Sequence, residues 1–460
     1  MFSKGFIIIL ILVNIYDLHA HHGHHHHDDT QHNHERQQQP PSDNGALFLS
    51  PYIERGDIEN GQRSAAVRSI NNDNIESYSG FITTNKQYNS NMFFWFYPAE
   101  KDKNNAPLVI WLHGGPGASS VYGLFELGPY YLDKKNKLQK RDNYLSQTFN
   151  MLYIDNPVGT GFSFTDNKNG LSKDENDIAD NLYETLIQFY KLFPQYKKNE
   201  LYISGSSYAG KFTTAFGYKI DQNQKNLKDK INFKGLLVGN GFFDPAITIQ
   251  RAKPLYQNGL IDFHYKKELE DVVGRIIALI NEKKFGEALD LNAEMRKTLE
   301  EKTGYTLLFD LAYNTDQYPY GDLVQYLSNI RSNIHVGNIT FDTDENLVPA
   351  LRNELMQSVT PWFEYLSDKY PIVLYSGQLD MEIPYISSVN FLLSLRNNVG
   401  EKYKTAERQL WSVDNELAGY KKTAGKLIEV LVRNAGHNAH IDQPKFVFKL
   451  FRDFIANNTV

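Results

Sequence analysis

The chain has 460 residues and no cysteine, with 48 Lys and Arg against 54 Asp and Glu, a formal net charge of −6. That length can bury a large core, and without thiols the fold must rest on that core. A Cys nucleophile and a thiolate metal site are excluded, and the absence of a basic run with interleaved aromatics argues against a nucleic-acid partner.

Residues 1–20 read as a secretory signal: Lys4 supplies the positive start, residues 6–13 the apolar core, and Ala20 a small cleavage position, with Leu18 larger than usual at minus three. The apolar run is too short to cross a bilayer and no later stretch qualifies, so no membrane span is expected. Residues 21–45 are low-complexity, with His21, His22, His24, His25, His26, His27, His32 and His34 running into a Gln-Pro tract. Such a segment cannot bury apolar surface and is expected to be a solvated tail, its imidazoles offering at most a loose site for Zn²⁺ or Cu²⁺. Asn338 and Asn457 each open an Asn-x-Thr sequon, compatible with glycosylation on the secretory route.

The folded region is expected to begin near Ala46. Residues 81–84 and 91–97 read as hairpin strands. Residues 107–112 (Pro-Leu-Val-Ile-Trp-Leu) form a continuous apolar run suited to a sheet buried on both faces. The run exits into His113, Gly114 and Gly115, where backbone N–H groups can approach a ligand without side-chain obstruction, as an oxyanion hole requires. A phosphate-binding loop would use a similar exit, but the Lys of such loops is absent. Residues 151–155 read as the next strand, and Ile178, Leu182, Leu186 and Phe189 mark one face of a helix that stops before Pro194.

Residues 201–210 (Leu-Tyr-Ile-Ser-Gly-Ser-Ser-Tyr-Ala-Gly) organise the rest. An apolar strand end, a turn bracketed by Gly205 and Gly210, and a following helix match a nucleophile elbow, with Ser207 as nucleophile and the Tyr208 N–H as an oxyanion donor. Ala209 stands where the pattern usually has Gly. A plain Ser/Gly-rich loop fits the stretch taken alone. A hydroxyl here is inert without a base and an orienting acid, which this architecture supplies later, acid first. Strand-like residues 372–375 lead to Asp380, and strand-like residues 428–432 lead to His437. Each alone reads as an ordinary loop residue; the order Ser207, Asp380, His437 at three strand exits reads as a triad.

Another strand covers 235–238. Between 242 and 353 the periodicity turns helical, as in 269–280 and 285–299, and a helical cap insertion is expected there. The expected organisation is therefore residues 1–20 signal, 21–45 tail, 46–241 first part of an α/β core, 242–353 cap, and 354–460 second part of the core.

These motifs resemble the serine carboxypeptidases of the α/β-hydrolase superfamily. The resemblance rests on Trp-Leu-His-Gly-Gly-Pro-Gly (111–117), Ile-Asp-Asn-Pro-Val-Gly-Thr-Gly-Phe-Ser (154–163), Gly-Ser-Ser-Tyr-Ala-Gly (205–210) and Gly-His-Asn-Ala-His-Ile-Asp-Gln-Pro (436–444). Residues 47–53, 89–96 and 413–420 resemble the vitellogenic branch in particular. The resemblance implies an α/β-hydrolase fold with a mostly parallel sheet. It also implies release of single C-terminal amino acids from peptides with a free C-terminus, through an acyl-enzyme on Ser207, with no cofactor. It implies His437 as general base, Asp380 as its orienter, Gly115 and Tyr208 as oxyanion donors, and Gly114 as a donor to the substrate carboxylate. A homodimer is compatible with it.

The chain departs from the family at the carboxylate clamp. His113 stands where an amide side chain is usual, and Ser206 where a Glu usually precedes the nucleophile. A protonated His113 would offer a charge-assisted bond instead. Asn438, Ala439 and His440 replace an apolar pair and Pro, which implies a wetter leaving-residue pocket. Two functional classes follow: an active serine hydrolase, either a carboxypeptidase or an esterase or acyltransferase, and a weak or inactive secreted relative serving in binding or storage.

Overall fold

The computed structural model describes residues 45–457 except 69, 72, 134, 225–229 and 316–319. The leader and the His-rich tract lie outside the described residues, as does the side chain of Asn457.

Ten strands form the central sheet: β1 Tyr78–Asn85, β2 Ser90–Tyr97, β3 Leu108–Leu112, β4 Asn150–Ile154, β5 Leu201–Ser206, β6 Phe233–Gly239, β7 Ile372–Gly377, β8 Arg408–Val413, β9 Glu416–Ala424 and β10 Leu427–Val432. Their spatial order is β1-β2-β4-β3-β5-β6-β7-β10-β9-β8. The six central strands from β4 to β10 run parallel, and antiparallel pairs close both edges. This is the α/β-hydrolase arrangement that the sequence implied.

The central strands can be parallel because every residue of β3, β4, β5, β7 and β10 is buried. Successive side chains alternate between two cores. Leu108, Ile110, Leu201 and Ile203 enter one, and Val109, Trp111 and Tyr202 the other. On the first face, α2 Glu175–Leu192, α3 Ala209–Asn223 and α6 Thr360–Lys369 cover the sheet with Ile178, Leu182, Phe212, Phe216 and Phe363. On the second, α1 Ser120–Leu127 and α7 Pro444–Asn457 contribute Val121, Leu124, Phe448 and Phe451. Each such side chain contributes about 1.5–3 kcal/mol by leaving water.

Between β6 and β7 the chain forms α4 Phe263–Asn281 and α5 Phe285–Thr303, packed on each other. Within residues 242–353 the described strand is a two-residue piece, Asp342–Thr343, paired with Thr160–Gly161. Four elements have no counterpart in the sequence reading. The short helices Ser50–Glu54 and Ile58–Ala65 precede the sheet, and β8 and β9 extend its far edge. In β8 only Trp411 and Val413 are buried and Leu410 is 70 % exposed, so the strand lacks the apolar run that marks a buried strand.

Candidate active site

Parallel strands all point their C-terminal ends the same way, so the loops after β3, β5, β6, β7 and β10 meet at one sheet edge. At the end of β5 the chain reverses sharply. Ser207 has φ +62°, the left-handed region that a β-carbon disfavours by about 1–2 kcal/mol. Three backbone bonds hold it there. Its N–H donates to the Gly239 carbonyl at 2.9 Å, and its carbonyl accepts from Gly210 and Phe242, both at 2.9 Å. A β-carbon at Gly205 would meet the Leu112 carbonyl oxygen at 2.4 Å, and one at Gly210 would meet the Phe242 carbonyl oxygen at 2.7 Å. These two positions need Gly. Ala209, packed with no exposed surface, does not. Tyr208 is the N-terminal cap residue of α3, where unpaired helix N–H groups favour negative charge.

Asp380 and His437, from the loops after β7 and β10, meet at 2.8 Å between Oδ2 and Nδ1, and both are buried. The Asp380 carboxylate accepts from three further donors: Asn240 Nδ2 at 2.5 Å, the Glu382 N–H at 2.8 Å and the Ile383 N–H at 3.0 Å. Asn240 stands at the exit of β6, and its Oδ1 accepts from the Gly377 N–H at 3.3 Å. His437 is held from the other side by Phe309. The rings stack with centroids 4.5 Å apart, and the His437 N–H donates to the Phe309 carbonyl at 2.6 Å. The same segment bonds the acid loop through Leu311 N–H to Leu379 O and Met381 N–H to Leu308 O, each at 2.9 Å. Sequence reading missed both Asn240 and Phe309. Asn240 had a weak signal in the Gly239-Asn240-Gly241 strand exit, and Phe309 had none.

Burial alone would lower the His437 pKa, but the Asp380 carboxylate, by charge and by hydrogen bond, raises it above the ordinary 6.5. A general base must be neutral. With His437 in that role, kcat/KM is expected to fall as pH drops through a limb above pH 6.5, and a pH-rate profile on a neutral peptide checks this.

The Gly114 position abuts the elbow: a β-carbon there would lie 2.7 Å from the Ser206 carbonyl oxygen and 2.8 Å from Ser207 Cβ. Gly115 has φ +115° and lines one cavity with Ser207 and Tyr208. His113 sits at the exit of β3, its N–H bonded to Ser120 Oγ at 3.1 Å. Trp111 Nε1 donates to His113 Nδ1 at 3.4 Å. An indole N–H can only donate, so in the neutral ring the His113 proton lies on Nε2. Burial also pushes the His113 pKa below its ordinary value, against the pull of Glu126. The structure thus favours a neutral His113 rather than the cation expected from sequence. Glu126, a buried residue of α1, lies 3.9 Å from His113 Nδ1 and accepts from or donates to His440 Nε2 at 2.7 Å. Sequence reading noted His440 and missed Glu126, whose signal would have been a carboxyl inside an apolar helix. Ser206 and Asn438 are buried beside the same loops.

Beneath the elbow lies a second polar cluster. Lys211 on α3 is buried and bonds both the carbonyl and Oε1 of Glu354 at 2.8 Å, with Glu175 Oε1 at 3.9 Å. Burial pushes the Glu175 pKa up to about 8, with Lys211 opposing it. A carboxyl whose folded pKa is raised favours the folded state while protonated, and that contribution is lost as pH rises toward 8. Glu175→Gln is expected to flatten the fall of the melting temperature between about pH 5 and pH 8, measured by calorimetry.

The remaining sequence-derived positions are not part of this edge. Asn338 is exposed on a turn. Among the described residues no group of three or more His, Cys, Asp or Glu is arranged to hold a metal ion, and no helix is long and apolar enough to cross a membrane.

The model of the family described as serine carboxypeptidase matches residues 69–457. The chain is 41 % identical to the venom serine carboxypeptidase of Apis mellifera over 89 % of this chain and 91 % of that protein. It is 38 % identical to the vitellogenic carboxypeptidase of Aedes aegypti over 91 % and 92 %. It is 39 % identical to the probable serine carboxypeptidase CPVL of Homo sapiens over 89 % of each. In fold it is similar to a prohormone-processing carboxypeptidase from Saccharomyces cerevisiae, with TM-score 0.74, 23 % identity, and coverage of 86 % of this chain and 96 % of that one. The chain belongs to the serine carboxypeptidase family and is a serine-type peptidase of the α/β-hydrolase fold.

Proposed function

We propose that this member of the serine carboxypeptidase family releases single C-terminal residues from peptides through an acyl-enzyme on Ser207. The observation that carries the reading is the buried 2.8 Å contact of His437 with Asp380 at the sheet edge that also presents the strained Ser207. With His437 Nδ1–H given to Asp380, Nε2 is the free base. It takes the Ser207 proton as Oγ attacks the last peptide carbonyl. The oxyanion that forms accepts from the Gly115 and Tyr208 N–H groups. His437 then gives its proton to the departing amine, and a water repeats the sequence to free the peptide.

The restriction to the last bond comes from the substrate's terminal carboxylate. Gly114 is the backbone donor for it, and neutral His113 adds Nε2–H, which stays a donor above pH 6.5. Ser206 and Asn438 complete the polar surroundings. His113 therefore does the work of an amide rather than of an acid, and binding does not require acid pH. We further propose entry into the secretory route, on the strength of residues 1–20, with an N-glycan at the exposed Asn338 and at Asn457.

The test is a set of peptides with free or amidated C-termini, incubated from about pH 4 to pH 8 and followed by mass spectrometry, beside Ser207→Ala and His113→Leu. Single-residue losses from free acids only are expected. His113→Leu should cost about 10- to 100-fold in kcat/KM on acids, while His113→Asn restores most of it. Cleavage indifferent to amidation would replace the reading by an esterase or amidase. A folded protein that cleaves nothing would replace it by a binding or storage role.

A further inference from the structure

Beside Ser207 opens a cavity whose polar lining the mechanism does not use. Gly115, Ser207 and Tyr208 form its mouth, and Phe242, Ile249, Leu289 and Met356 contribute apolar wall. At its side stand Arg251, Arg296, Glu382 and Asn292. Arg296 grips Glu382 with both terminal nitrogens, at 2.5 and 3.1 Å, and Arg251 Nη1 adds a bond to Glu382 Oε2 at 3.3 Å. One carboxylate thus serves two guanidinium groups. Burial would push the Glu382 pKa up, but the two arginines outweigh it and hold it at about 2, so the carboxylate stays charged.

The cluster has more donors than acceptors. Each guanidinium carries five N–H groups. Arg251 is 2 % exposed, and the Nε of both arginines is buried with no hydrogen-bond partner among the described residues. Asp380 supplies no relief. Its charge makes the group formally neutral while His437 is neutral, but its oxygens are engaged by His437, Asn240 and the two backbone N–H groups. Asn292 Oδ1, on the same lining, is a buried acceptor without a partner among the described residues, but it is one oxygen against two Nε–H groups. The cluster therefore stays short of acceptors, and unpaired buried donors each cost about 1–3 kcal/mol.

The cavity's position says which part of a substrate enters it. This step rests on the carboxypeptidase reading above. The terminal residue's carboxylate belongs at His113, Gly114 and Ser206, and none of these lines the cavity. The residue whose carbonyl is attacked, the penultimate one, has its side chain next to Ser207, Tyr208 and Gly115. We infer that this cavity selects peptides whose penultimate residue carries a carboxylate, glutamate before aspartate. The methylenes of glutamate lie along the apolar wall, and its oxygens supply the acceptors that Arg251 and Arg296 lack. A glutamine supplies a single carbonyl oxygen, and a lysine adds a third cation.

Two substrate series test this near pH 7, where a glutamate side chain is ionised. The first is a set of blocked peptides with one constant terminal residue and Glu, Gln, Phe or Lys before it. The second is the matching α-aminoalkyl diphenyl phosphonates, which label Ser207 and carry no terminal carboxylate. Wild-type kcat/KM and labelling rate are both expected to favour Glu over Lys at least tenfold, and over Gln and Phe several-fold. Arg296→Met should reduce the Glu-to-Phe ratio several-fold, to about one or below, in both series, and Arg296→Lys should retain part of it. A preference for Phe or Lys in the phosphonate series, or a ratio unmoved by Arg296→Met, overturns the inference. Uncleaved peptides together with Glu-selective phosphonate labelling would sink the carboxypeptidase reading and leave the cavity's selectivity standing.

Discussion

Ser207→Ala is expected to lower kcat by about 10⁴- to 10⁶-fold, and Ser207→Gly to do the same while making the protein more stable. The loss of rate follows from the proposed acyl-enzyme on Ser207, whose Oγ both variants lack. The gain in stability follows from the backbone. Ser207 is held at φ +62° by its bonds to Gly239, Gly210 and Phe242. A Gly in that conformation escapes the clash of the β-carbon, worth about 1–2 kcal/mol, and gives some of it back through greater freedom when unfolded. A net rise of about 0.5–1 kcal/mol is expected, read as a higher melting temperature for Gly than for Ala at equal inactivity. A Gly variant no more stable than the Ala variant would mean that the elbow carries no strain.

Asp380→Asn is the second large effect, about 10³- to 10⁴-fold in kcat. Four donors converge on Asp380: His437 Nδ1–H, Asn240 Nδ2 and two backbone N–H groups. An amide offers one oxygen and turns its NH₂ toward a donor, so either His437 changes tautomer or a buried donor goes unpaired. The first ruins the base, and the second costs about 1–3 kcal/mol of stability. The carboxylate is also what raises the His437 pKa against burial. Without it the acid limb of the residual activity should move to lower pH, which a pH-rate profile of the variant reads directly. A limb that stays in place would mean that another group sets it.

The fold was legible because the central strands are mainly apolar runs that lead into Gly-containing exits, even where Glu429 or Lys234 interrupts them. Those exits placed Ser207, Asp380 and His437 in order along the chain, and the structure brings Asp380 and His437 into contact. What was not legible depends on contacts between distant segments. Asn240 reaches across 140 positions to Asp380, and no local pattern announces that. Arg251, Arg296 and Glu382 belong to no local pattern in sequence, and only the packing of three distant segments shows that they are enclosed together. The charge of His113 was misjudged for a related reason. The reference pKa assumes water, whereas Trp111 and burial decide its protonation here. The strands β8 and β9 escaped notice because this antiparallel pair at the far side of the sheet mixes Lys, Glu and Arg with apolar residues.

Phe309 bears on how such a protein can be changed. Its ring and its carbonyl both hold His437, and its neighbours Leu308 and Leu311 bond the acid loop. A chimera that exchanged residues 242–353 for the insertion of a relative would therefore inherit a misaligned imidazole unless the graft brought an equivalent aromatic ring and carbonyl. The segment that looks most replaceable in sequence is the one through which specificity and turnover are inherited together.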